Sequence, residues 1–66
     1  MRELDTVRVR VAARGLAEGR SIAAGMRGVV VSAEPELDSY TVEIVDDDGE
    51  TVDLIEAKGA DLEPDE

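Results

Sequence analysis

The chain has no cysteine, no histidine, no tryptophan and no phenylalanine, and its only aromatic residue is Tyr40. Without cysteine no disulfide can form, and without cysteine or histidine the common zinc sites have no ligands. No imidazole is present to activate Ser21, Ser32 or Ser39, and none of these serines sits in a Gly-x-Ser-x-Gly elbow. A single aromatic residue cannot supply the stacking platform on which single-stranded nucleic acid is held. No apolar run approaches the roughly 20 residues of a membrane-spanning helix. The first residues, Met1-Arg2-Glu3-Leu4-Asp5, lack the apolar region of a signal peptide. A soluble, cytoplasmic protein with no cofactor is the expectation, and the absence of cysteine agrees with it.

What is present is charge, unevenly placed. The formal net charge is −10. Residues 1–31 carry six arginines against Glu3, Asp5 and Glu18, a net of +3; residues 32–66 carry Lys58 against fourteen carboxylates, a net of −13. This split fits either two chemically distinct faces or a fold that lays arginines beside the acids and neutralises part of the field. Neutralisation is the plainer expectation. At about 0–1 kcal/mol per exposed ion pair it would orient strands more than stabilise them.

A chain of 66 residues makes one small domain. Domains of this size bury only about 60% of their unfolded surface and usually need a staple. With disulfides and zinc excluded, a well-formed core or burial against another chain must serve.

Residues 5–11 alternate, with Val7, Val9 and Val11 on one face and Thr6, Arg8 and Arg10 on the other, the pattern of a half-buried strand. Leu4 is expected to start the core. Residues 12–24 are alanine-rich, but Gly15 and Gly19 each cost a helix about 1 kcal/mol. The segment reads as an irregular loop pinned by Leu16 and Ile22, with room for one helical turn. Gly25 and Gly28, three apart, suit a turn that needs positive φ or close backbone approach. They lead into a strand over Val29–Ala33, in which Val29, Val31 and Ala33 are the expected core face. Pro35 ends it. Tyr40, Val42 and Ile44 form the inner face of a third strand. Asp48-Gly49 marks a hairpin turn, and the fourth strand runs from Glu50 to Ile55 with Val52 and Leu54 inward and Thr51 and Asp53 outward. A 3₁₀ turn near Lys58 and a short last strand anchored by Leu62 complete the expected domain, residues 1–63, with a frayed tail at 64–66.

Five short strands, a long first loop, a meander and a late 3₁₀ turn predict an all-β fold, specifically a small SH3-like barrel closed so that no edge is left unpaired. The pattern Arg2-Glu3-Leu4-Asp5-x-Val7, Gly25-x-x-Gly28-x-Val30-Val31, Tyr40-x-Val42-Glu43-Ile44, Asp48-Gly49-Glu50-Thr51 and Leu62-x-Pro64 resembles a bacterial family of short proteins defined as a domain of unknown function with an SH3-like barrel. The resemblance implies the fold and carries no catalytic residues. The Gly25-x-x-Gly28 turn running into valines is more loosely similar to KOW segments of translation and transcription factors, which tend to be basic where this chain is acidic.

Chemistry finds little purchase. The carboxylates Asp46, Asp47, Asp48 and Glu50 sit on a hairpin tip, whereas acid–base catalysis needs a carboxyl in a pocket. Placing Gly49 at the sixth position of an EF-hand loop puts Ile44 and Ile55 where the first and twelfth ligands belong, so that template fails. Gly25-x-x-Gly28 is not a phosphate loop. The expected function is a non-enzymatic protein–protein interaction module, an accessory or antidote-like subunit. Its candidate surface is the acidic hairpin (Asp46, Asp47, Asp48, Glu50) with the 12–24 loop or an outer apolar patch of Val30, Val45 and Ile55. The alternative is a KOW-like nucleic-acid or ribosome contact through Arg8, Arg10 and Arg27, which the net charge opposes. A self-associating structural domain is the third.

Overall fold

In the computed structural model, residues 1–65 are described, and most of the β-branched alternation becomes strand. The strands are β1 (Thr6–Val9), β2 (Ala13–Arg14), β3 (Ser21–Ile22), β4 (Arg27–Glu34), β5 (Ser39–Val45), β6 (Thr51–Ala57) and β7 (Leu62–Pro64), with 3₁₀ turns at Pro35–Leu37 and Gly59–Asp61. Five strands form one antiparallel sheet in the order β6-β5-β4-β1-β7, and β2 pairs with β3 as a separate two-stranded ribbon. The chain is all-β, but the sheet is not closed: β6 and β7 are its outer strands and do not pair. Two features hold them apart from a closing ladder. β7 is only three residues long and ends on Pro64, which has no N–H to donate. The free side of β6 is engaged instead by the first loop, where Leu16 N–H donates to the Leu54 carbonyl at 2.7 Å.

The core is Val7, Val9, Ile22, Val30, Tyr40, Val42, Ile44, Ile55 and Leu62. Two β-bulges decide which residues enter it. In β4 the pairing steps from Val30↔Val42 to Ser32↔Thr41, so Val31 is extra and is pushed outward. Val30 is therefore fully buried (0% exposed), and Val29 and Val31 are not the core face. Three successive valines satisfy either parity. Gly28 breaks the tie, because it lies under β5 where a Cβ would come within 2.6 Å of Val42 Cγ1 and 2.7 Å of the Glu43 carbonyl. Only that strand face can meet β5 so closely.

In β6 the pairing steps from Ile44↔Asp53 to Val45↔Thr51, leaving Val52 as the extra residue. Ile55 (1% exposed) and Asp53 (2% exposed) are consequently inside, while Val52 and Leu54 are half-buried. The expectation that Asp53 faces solvent and Leu54 points inward is reversed, whereas Val52, the bulge residue, packs against the core as expected.

Three further expectations fail. Val11 lies beyond the end of β1 and is exposed. Leu4 is 79% exposed in a left-handed turn (φ 73°), and only its N–H reaches the sheet, donating to the Val30 carbonyl at 2.6 Å. The Leu16 side chain does not pin its loop to the core. The tail is firmer than expected: Pro64 pairs with Val7 in β7, and Asp65 N–H donates to the Thr6 carbonyl at 3.0 Å. Glu66 lies outside the described residues. No helix among the described residues is long and apolar enough to cross a membrane.

Candidate functional site

The buried carboxylate of Asp53 organises the one irregular region of the molecule. Its Oδ1 accepts hydrogen bonds from the N–H groups of Ala17 (2.8 Å) and Leu54 (2.7 Å), and its Oδ2 from those of Glu18 and Arg20 (both 3.1 Å). An ion taken out of water needs such compensation, and here backbone dipoles supply it without a cationic side chain. Burial alone pushes the carboxyl pKa up; the four N–H donors outweigh it and hold the pKa at about 2, against an ordinary 3.8.

The loop from Gly15 to Arg20 is shaped around this group. Gly15 N–H donates to the Arg20 carbonyl at 2.8 Å, closing the ribbon of β2 and β3, and the Arg14 guanidinium donates to the Gly19 carbonyl at 2.9 Å. A side chain at Gly15 would overlap the Asp53 carboxyl group, which cannot swing away without abandoning its donors. Almost nothing apolar is buried by this construction. Leu16 is 64% exposed and Ala17 is also exposed. Ile22, as expected, is the loop's anchor in the core.

Beside the loop stands the β5–β6 hairpin. Asp46 is built into its turn, where Oδ1 accepts the N–H groups of Asp48 and Glu50, both at 2.9 Å. Asp47, Asp48 and Glu50 are exposed. Glu43, on the outer face of β5, accepts the Thr51 hydroxyl at 2.6 Å. No lysine or arginine occurs between Arg27 and Lys58. The ion pairs among the described residues are Arg8–Asp65 (3.0 Å), Arg27–Asp65 (4.0 Å) and Arg20–Glu18 (3.3 Å). The hairpin carboxylates take part in none of them, whereas Asp65, from the acidic half, pairs with Arg8 and Arg27 of the basic half.

The expected apolar patch does not exist. Val30 and Ile55 are core residues, and of the three only Val45 is partly exposed; the bulges reversed the parity from which the patch was read. The candidate anion contacts divide. Arg8 and Arg27 face each other across β1 and β4 and, with Gly25, Val45, Asp46 and Asp47, line a shallow cleft of about 380 Å³. Asp65 lies between the two guanidinium groups, and Arg8 also donates to the Gly25 carbonyl at 2.8 Å. Arg10 is exposed past the end of β1 and lines no part of that cleft. No group of three or more acidic residues among the described residues is arranged to hold a metal ion.

Sequence reasoning missed Asp53, and the signal for it was Ile55. In a strand, residues two apart share a face. Taking the β-branched Ile55 as core would have carried Asp53 inward with it. Comparison with protein-family models, curated proteins and solved structures finds no match, and the site is read on its own chemistry.

Proposed function

We propose that the chain is a non-enzymatic protein–protein interaction module with an SH3-like arrangement of strands, and that it meets its partner through the Gly15–Arg20 loop and the acidic β5–β6 hairpin. One observation carries this reading: a buried ion and a sterically required glycine are spent on fixing a loop that leaves Leu16 in solvent. A loop held in one shape loses little entropy on binding, which is how a contact surface is pre-organised. The order β6-β5-β4-β1-β7, the long excursion between β1 and β4, and the 3₁₀ turn before β7 support the SH3-like assignment, in an open form.

Several features favour a binding role over catalysis. Asp53 is kept ionised with both oxygens occupied by N–H donors, so it has neither the pKa nor the free lone pairs of a general base. Recognition of proline-rich helices needs an aromatic-lined groove, and Tyr40 is buried in the core. Strand addition aside, what is left is electrostatic and apolar contact with a basic surface. The juxtaposition of Arg8 and Arg27 favours an anion-contacting alternative. It is weakened by Asp65 between them and by Asp46 and Asp47 in the same cleft.

Immobilised protein exposed to nuclease-treated lysate of its native host tests the reading. A stoichiometric protein should be retained, and should be released when Asp47, Asp48 and Glu50 are changed together to Asn, Asn and Gln. Retention of RNA or DNA alone, abolished by Arg8→Ala with Arg27→Ala, would replace it with the nucleic-acid alternative.

A further inference from the structure

The partner's chemistry can be narrowed, on the strength of the interaction-module reading above. We infer that Leu16 and Leu54 form the apolar centre of a docking surface for a basic protein segment, one that carries an aliphatic or aromatic side chain between lysines or arginines.

Leu16 is tied to β6 through its own N–H on the Leu54 carbonyl, and the next residues hang from Asp53. Its position is therefore set by the sheet and not by a flexible loop. Leu54 lies directly opposite Glu43 on the outer face of β6, is half-buried, and is not among the residues packed on the core. The sheet side of this pair is acidic. Glu43 is across the ladder, Glu56 is two residues along β6, and Thr51 at the hairpin end is three residues back, about 10 Å at the ~3.3 Å rise of a strand. No cation is supplied by β5, the turn or β6; from the loop come Arg14, held on the Gly19 carbonyl, and Arg20, paired to Glu18. An apolar centre bordered by Glu43 and Glu56 on its sheet side is complementary to the reverse arrangement, an apolar anchor flanked by cations. Interfaces concentrate affinity in such a central contact, while the charged rim governs encounter and salt dependence. Leu37, equally exposed, stands on the turn after β4 and has no such bracing, which makes it the natural control.

Two synthetic peptides of identical positive charge separate the contributions: one places leucine between lysines and arginines, the other has serine at the leucine positions. Titrated calorimetrically at low salt, the leucine peptide should bind roughly tenfold more tightly. That advantage should vanish in Leu16→Ala and persist in Leu37→Ala, with the methyl resonances of Leu16 and Leu54 shifting on addition. Equal binding of both peptides would overturn the apolar anchor while leaving the acidic surface as the contact. Failure of both peptides to bind would overturn the inference, and retention of a stoichiometric protein from the lysate would then leave the interaction-module reading standing without it. A dimer in light scattering that Leu16→Ala dissociates would overturn the inference differently, by assigning the surface to a second copy of the chain.

Discussion

The β4–β5–β6 meander and the excursion from Ala13 to Ile22 are joined along one edge, yet they are fixed by opposite kinds of interaction. The meander is held by side chains that leave water: Val30, Val42, Ile44 and Ile55 fill the space beneath the sheet. Such burial is non-directional and tolerates exchange of shape at constant volume. The excursion places only Ile22 in the core and takes its form from the Asp53 carboxylate, the Leu16–Leu54 bond and the Gly15 closure. Hydrogen bonds are directional, so this half has one shape or none. A polar hub lets a loop be rigid without burying its own apolar residues, and this is why Leu16 is free to face outward.

The sharpest way to break the comparison is to empty the meander's core beside the hub. Ile55→Ala should cost about 2–5 kcal/mol, a large part of a total stability expected at roughly 0.05–0.15 kcal/mol per residue. Leu54→Ala, one residue away on the outer face, should cost about 1 kcal/mol or less. Urea denaturation of the two variants measures the difference, and the reverse order would mean that β6 presents its other face to the core. Next in size is Gly15→Ala, at about 1–3 kcal/mol for forcing a methyl group against a carboxyl group that cannot yield. Its signature should be regional. Amide exchange should quicken at Leu16, Ala17, Glu18 and Arg20 while Ile44 stays protected. Uniform loss of protection would show that loop and meander unfold as one unit.

The two halves were also unequally legible in the sequence. Alternation correctly assigned Val7, Val9, Tyr40, Val42 and Ile44, and Asp48-Gly49 located the hairpin, because these signals are local. The inward faces of β4 and β6 were misread because each contains a bulge, and a bulge is a property of the pairing between two strands. Val29 to Val31 offered no contrast between faces. At β6 the apolar Val52 and Leu54 outvoted Asp53, since an isolated aspartate is seldom buried. Three of the hub's four donors come from residues 33 to 36 positions earlier in the chain. No window along the sequence brings Gly15 and Asp53 together, so the long loop was recognisable as a loop but not as a braced one.

Acid sharpens the comparison further, because the hub is a buried carboxylate whose ionised form the fold favours. The folded state holds the Asp53 pKa at about 2, below its ordinary 3.8. A depressed carboxyl pKa means that the unfolded chain binds the proton more readily. The stabilisation is therefore complete above the ordinary value and is lost as pH falls from about 3.8 through about 2. Asp53→Asn keeps the shape, loses the charge, and turns an N–H₂ group toward backbone donors. It should be less stable than the wild type at neutral pH, with a gap that narrows through this acid window. A gap that stays constant down to pH 2 would show that the side chain acts through its shape alone.

The smallest expected effect concerns the other long-range carboxylate. Asp65 also joins distant parts of the chain, lying between Arg8 and Arg27, which face each other as like charges across β1 and β4. Its partners are cationic side chains open to water, however, and such pairs contribute about 0–1 kcal/mol. Asp65→Asn should therefore cost less than about 1 kcal/mol, and the difference should fade as added salt screens both the lost attraction and the exposed repulsion between the arginines. The deficit of Asp53→Asn should survive the same salt, because the carboxylate is buried and its donors are fixed backbone groups. If Asp65→Asn instead proved costly and indifferent to salt, burial would not be what separates the two carboxylates. The tie between β7 and the arginines would then rank with the hub as a staple of a domain that has no cysteine for a disulfide.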